Sequence, residues 1–173
     1  MAGLRIEGLT VRRLLILAAV LAALLGAGAT AAPAMATPAA HAAVSAPAAY
    51  GGSWAGDTAL DWAEAHAAGC WYSWAGAGPC SRGYDCSGLV MAAFAHAGIA
   101  LPHSTYAMLS SPRLHRIPVA GAPRGALLFY GSGHVEFNTI WYHTSFGAHS
   151  TGQRVGWTTW GWGWQPTMAF IVR

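Results

Sequence analysis

Tyr84-Asp85-Cys86-Ser87-Gly88-Leu89-Val90-Met91-Ala92-Ala93-Phe94-Ala95-His96-Ala97-Gly98 is the segment from which the rest of the chain can be read. Apolar residues fall at 86, 89/90, 93/94 and 97, the spacing of a helix with one buried face. Asp85 suits its N-cap, and Gly98 suits the position just past its C-terminus. Cys86 then occupies the first turn, where unpaired backbone N–H groups and the helix dipole favour a thiolate. A nucleophile needs that placement. A small buried cysteine on a core helix would show the same spacing.

A sulfur nucleophile needs a base that can later protonate the leaving group, and imidazole does both near neutral pH. Of the eight histidines, His134 is the best positioned. Residues 126–130 (ALLFY) read as a short buried strand and Gly131-Ser132-Gly133 as a turn, and 134–140 alternate like a second strand. Residues 141–145 turn the chain and 146–150 run back as a third strand, so His149 is expected beside His134, bonded to its ring. His66 and His96 fall near helix ends, where a cation favours the terminal carbonyls. His41 lies in the leader or linker, His103 and His115 in loops, and His143 at the hairpin tip. A zinc site from His134, His143 and His149 lacks tight ligand spacing, so no metal is assigned. Nor is a nucleotide, flavin or other cofactor motif present.

Working toward the N-terminus, Cys70 and Cys80 flank a Trp/Tyr/Gly-rich loop. A bridge between them would close about ten residues and contribute about 2–3 kcal/mol. That pairing suits an exported chain, and the front of the sequence reads as an export signal. Arg12-Arg13 precede the apolar run Leu14–Leu25, followed by small-x-small sites such as Ala34-Met35-Ala36 and Ala40-His41-Ala42. The uncharged stretch 14–36 exceeds the roughly 20 residues of a membrane span, but its second half is only Ala, Gly, Thr and Pro. The expected organisation is a signal peptide over 1–42, a linker over 43–55 and one catalytic domain over 56–173.

The 173 residues are 54% hydrophobic and 9% charged, which excludes a disordered chain. Every base is Arg, nine against six acids, but beyond residue 42 six Arg face five acids. A net charge of +1 leaves no nucleic-acid footprint, so no nucleic-acid partner is expected.

These residues resemble the NlpC-like cysteine peptidases of bacterial cell walls. The resemblance rests on Trp71-Tyr72-Ser73-Trp74-Ala75-Gly76, Tyr84-Asp85-Cys86-Ser87-Gly88-Leu89-Val90, Leu101-Pro102-His103-Ser104, Gly133-His134-Val135 and Ala148-His149. It implies an α+β, papain-like NlpC fold, with the nucleophile helix packed on an antiparallel sheet. It implies Cys86 as nucleophile, His134 as general base and acid, and His149 as the orienting polar residue. By the same carry-over Tyr72 stands near the nucleophile to hold oxyanion or substrate, and Asp85 and Ser87 shape substrate binding. Each has a plainer role available: Asp85 as a cap, Ser87 as a first-turn donor, Tyr72 as packing. Three positions depart from the pattern. Arg124-Gly125-Ala126-Leu127 lacks an acidic turn residue, Ala75-Gly76 replaces a glycine pair, and Glu136 stands where a small residue is frequent.

The implied activity is that of a secreted or wall-associated peptidoglycan hydrolase, monomeric and free of the membrane after signal removal. Its substrates would be stem peptides, with the D-glutamyl-to-diamino-acid amide as target. Two alternatives remain. One is an amidase or acyltransferase toxin acting on another amide or ester. The other is an inactive module that holds glycan on Trp160, Trp162 and Trp164, expected along one face of an extended strand. Those tryptophans would equally serve to cover a small sheet.

Overall fold

A computed structural model describes residues 53–173. The expected signal peptide and most of the expected linker lie outside them. The first helix, α1 (Trp54–Ala67), starts where Ser53 accepts the Gly56 N–H at 3.0 Å and buries Ala59, Leu60, Ala63 and Ala67. It therefore begins within the segment expected to be linker.

The second helix, α2 (Cys86–His96), is capped by Asp85, whose carboxylate accepts the Gly88 N–H at 2.6 Å. It closes on Gly98 in the left-handed region (φ 78°), with Gly98 N–H to Ala95 C=O and Ile99 N–H to Phe94 C=O. That bonding satisfies carbonyls the helix end would otherwise orphan. A short helix, α3 (Thr105–Leu109), follows.

Six strands form one antiparallel sheet: β1 (Leu114–Ile117), β2 (Leu127–Tyr130), β3 (His134–Asn138), β4 (Thr144–Gly147), β5 (Gly156–Thr159) and β6 (Met168–Val172). Their spatial order is β1-β6-β2-β3-β4-β5. Side chains alternate across a strand, and here both sides are covered. Leu127 and Phe129, Val135 and Phe137, Phe146, Phe170 and Val172 join the larger core with α1 and α2. Phe94 of α2 stacks on Phe137 at 5.8 Å. On the other side Leu128, Tyr130, Ala169, Ile171 and Ile117 form a thinner core against Val119, Trp160 and Trp164. Double coverage is why Leu127–Tyr130 reads as an unbroken apolar run.

The expected α+β architecture is present, with two local differences. The return strand of the β3–β4 hairpin spans 144–147, not 146–150, so His149 lies just past its paired part. The tip closes early because Thr139 Oγ1 donates to the Thr144 carbonyl at 2.8 Å and His143 adopts φ 49°. The tryptophan segment is not one extended strand. β5 ends at Thr159, and Gly161 bridges Trp164 across a tight turn with Gly163 at φ 76°. Glycine permits that turn. Trp160 and Trp164 fold back onto the sheet, and only Trp162 points fully to solvent.

Arg124 reaches Asp61 at 2.6 Å, Glu64 at 3.0 Å and Asp57 at 3.4 Å, tying the turn before β2 to α1. The sequence departure at 124–127 thus has a local structural use. No helix among the described residues is long and apolar enough to cross a membrane.

Candidate active site

Cys86 is the first residue of α2 and, with Cys70 and Cys80 joined in a disulfide, the free thiol of the chain. That disulfide ties down the loop carrying Trp71, Tyr72 and Trp74. Tyr72 bridges to Tyr84, and Arg154 lies over the Trp71 ring at 3.9 Å. A cleft of about 520 Å³ opens over the start of α2, lined by Tyr72, Trp74, Asp85, Cys86, His103 and His134 among others. Four of the six residues expected at the site, Tyr72, Asp85, Cys86 and His134, therefore face one another, and a fifth, Ser87, also lines the cleft.

The Asp85 carboxylate accepts from Gly88 N–H (2.6 Å), Ser87 Oγ (3.1 Å) and His103 Nε2 (3.0 Å). Asp85 and Ser87 thus have the capping and first-turn roles that the local sequence allows. Gly88 lets α2 start this close to the preceding loop, since a Cβ there would stand 2.0 Å from the Gly76 carbonyl oxygen. His103, which reads only as a loop residue, is a cleft residue held by Asp85. The one sequence signal for it is its place in Leu101-Pro102-His103-Ser104. The Tyr72 hydroxyl is raised above its ordinary pKa by burial first, then by Cys86 and Asp85, so it stays a protonated donor beside the sulfur.

At the other side of the cleft the imidazole of His134 interacts with Cys86 and bonds Glu136 Oε1 through Nε2 at 3.0 Å. His149 does not bond the His134 ring. The two rings meet edge-on with centroids 5.6 Å apart, and His149 Nδ1 instead bonds the same Glu136 Oε1 at 2.9 Å. Glu136 is completely buried, and its second oxygen accepts from Ser145 Oγ. Ser145 also meets the Tyr130 hydroxyl at 3.1 Å.

Burial works against both charges here, but the hydrogen bonds and the Coulomb attraction win. His134 is raised to about 9 through Cys86 and Glu136, and Glu136 is lowered to about 2 through His134, His149 and Ser145. The pair is an imidazolium beside a carboxylate at neutral pH. Glu136 is visible in the sequence only as a departure from the family pattern. Its partner His149 sits thirteen residues away, and no short motif links them.

The ring nitrogens of His134 and His149 and the Glu136 carboxylate lie within 4.8 Å of one another. The carboxylate already satisfies both rings by hydrogen bonds. His143 is not in this group and stacks on Trp160 at 4.1 Å.

A model of the NlpC/P60 family matches residues 69–169, more than half of the chain. The chain belongs to the NlpC/P60 family. Among similar curated proteins, the peptidoglycan endopeptidase RipA of Mycobacterium tuberculosis is 38% identical over 81 residues, covering 40% of this chain and 17% of that protein. The peptidoglycan endopeptidase RipB of the same organism is 36% identical over 81 residues, 40% and 33% of the two chains. A probable endopeptidase of Mycobacterium bovis is 65% identical over 37 residues, 21% of this chain and 9% of that one. The chain thus spans a third or less of these curated relatives.

The NlpC/P60 fold is also seen in solved structures. The NlpC/P60 domain of the peptidoglycan hydrolase SagA matches with a TM-score of 0.59 and 26% identity, over 68% of this chain and 98% of that one. RipB from Mycobacterium tuberculosis, a peptidoglycan hydrolase by its title, matches with 0.58 and 26%, over 69% and 65%.

Proposed function

We propose that this chain is a cysteine hydrolase that cuts amide bonds of peptidoglycan stem peptides. The observation that carries the reading is the pairing of Cys86, at the first position of a buried helix, with His134 across one open cleft, in a member of the NlpC/P60 family. Similar family members named as peptidoglycan endopeptidases supply the substrate class.

In the proposed reaction the Cys86 proton already lies on His134, and the sulfur attacks the scissile carbonyl as a thiolate. The developing oxyanion is held by the Cys86 backbone N–H and the Tyr72 hydroxyl. The His134 imidazolium gives its proton to the departing amine, leaving a thioester. Water, losing a proton to His134, attacks that thioester. A carboxylic acid leaves, and the thiolate is regenerated. Asp85, Ser87 and His103 line the cleft beside Cys86 and serve substrate binding. The D-glutamyl-to-diamino-acid bond is the proposed target, reached outside the cell after export by the leader of residues 1–42, with the protein acting as a monomer.

The test is mass spectrometry of soluble fragments after incubation of the full chain with purified peptidoglycan, beside Cys86→Ala. New stem-peptide fragments from the unaltered protein alone are expected, and their ends name the bond. Retention on the insoluble wall with no fragments would overturn the hydrolase reading in favour of glycan binding.

A further inference from the structure

We infer that Glu136 is the positioning residue of this site: it holds the His134 ring toward Cys86 directly, His149 acts only through it, and Gly147 is small to admit it. The inference rests on the reading of Cys86 and His134 as nucleophile and base.

The geometry leaves His134 one arrangement. Its Nε2 is taken by Glu136 Oε1 at 3.0 Å, so Nδ1 is the nitrogen left for Cys86. A carboxylate only accepts, so Nε2–H donates to it, and Nδ1 holds the proton that leaves the sulfur. The adjacent carboxylate stabilises that imidazolium. Both duties of a triad's third member then fall to Glu136.

His149 makes no bond to the His134 ring, which it meets edge-on at 5.6 Å, and its Nδ1 bonds the same Glu136 oxygen at 2.9 Å. Its bond and that of Ser145 fix the carboxylate from the far side, a support that keeps the ring partner in place. Trp164 roofs the group: it stacks on Tyr130 at 4.5 Å and packs against His134 and His149 at 5.4 and 5.1 Å. Glu136 itself is completely buried, so the bonds to its carboxylate are stronger than at the surface.

An independent observation comes from β4. Phe137 pairs with Phe146 and Asn138 with Ser145, so the same register sets Glu136 opposite Gly147. A Cβ on Gly147 would stand 2.5 Å from Glu136 Cγ and 3.0 Å from its Cβ and Cδ. The backbone at Gly147 is not in the left-handed region, so no turn demands glycine there. What the missing side chain provides is room for the carboxylate beneath the two imidazoles.

The experiment needs no wall substrate, so its failure is distinct from failure of the peptidoglycan reading. The His134 ring is followed by NMR as pH is raised, in the full chain and in Glu136→Gln, Gly147→Ala and His149→Gln. Its signal is assigned by loss in His134→Asn, and circular dichroism reports folding. Glu136→Gln keeps an acceptor and removes the charge, so the titration should fall from about 9 toward the ordinary value of about 6.5. Gly147→Ala keeps the charge but displaces it, and should move the titration the same way. His149→Gln should leave it near 9.

With a stem peptide as substrate, Glu136→Gln should lower kcat by about 10²- to 10⁴-fold with KM little changed, the effect of losing an orienting carboxylate. A His134 titration unmoved in folded Glu136→Gln would overturn the proposal. So would a fall in His149→Gln as large as in Glu136→Gln. Should Glu136→Gln not fold, Gly147→Ala decides alone: an unmoved titration there overturns it.

Discussion

On the helix side of the sheet, Val135, Phe137, Phe146 and Ala148 are sealed against α2 by apolar contact alone. Their neighbours on the same two strands, turned the other way, are His134, Glu136, Ser145 and Gly147. The strand residues turned to one face are all apolar, while the other face holds a fully buried carboxylate between two imidazoles. The apolar face is non-directional and tolerates small shifts. The polar face works only while every donor meets its acceptor, since an unpaired buried charge is far costlier than a poorly packed methylene. Stability and chemistry are thereby divided between the two faces of one hairpin.

The largest expected break of that division is on the apolar side. Phe137→Ala should destabilise by about 3–5 kcal/mol, read from urea unfolding, by deleting a fully buried ring stacked on Phe94. The folded fraction should keep the His134 titration of the unaltered protein. A changed titration would mean the two faces are coupled.

Trp164→Ala acts on the polar side and should cost less, about 2 kcal/mol, because that ring is only partly buried. Opening the roof weakens the attraction between His134 and Glu136, so the alkaline limb of activity should move down from about 9 toward neutrality. An unmoved limb would show that Trp164 only packs.

The polar face also predicts a pH window for stability. Glu136 sits at about 2, below its ordinary 4.5, so its contribution is complete above about 4.5 and is lost as pH falls toward 2. His134 sits at about 9, above its ordinary 6.5, so its contribution is complete below about 6.5 and is lost as pH rises through 9. Urea midpoints should decline on both limbs, and Glu136→Gln should flatten them. A midpoint constant from pH 6.5 to 9 would contradict the pairing.

The smallest effect belongs to Asp85, which serves both α2 and the cleft. Asp85→Ala should cost about 1 kcal/mol through the lost cap, and Asp85→Asn much less because the amide oxygen still accepts. Thermal unfolding of the two variants checks this. If Asp85→Asn loses activity at near-full stability, the carboxylate acts on substrate or through His103, beyond its capping role.

The start of α2 was legible because everything it needs lies within four residues: Asp85 to cap, Cys86 in the first turn, and Gly88 against the loop. The two buried strands around Gly131-Ser132-Gly133 were legible for the same reason, a period of two broken by glycine. The tryptophan segment was not. Alternation of Trp and Gly suits a strand or a turn, and Gly161 with Gly163 made it a turn. The hydrogen-bond partner of the His134 ring was not legible either, because residue 149 and residue 136 both stand within reach of residue 134 and only side-chain geometry separates them.

By itself, then, the sequence determined the helix that presents Cys86, the strand that begins at His134, the cysteine pair at 70 and 80, and the family to which the chain belongs. Those features are written in short spacings, where backbone hydrogen bonding and apolar periodicity act over a few residues. Only the tertiary structure decided that Glu136 lies between His134 and His149, that Gly147 vacates the space for it, and that Trp164 closes over all three. These depend on the register of two strands and on the folding back of a distant turn, and no local spacing encodes either one.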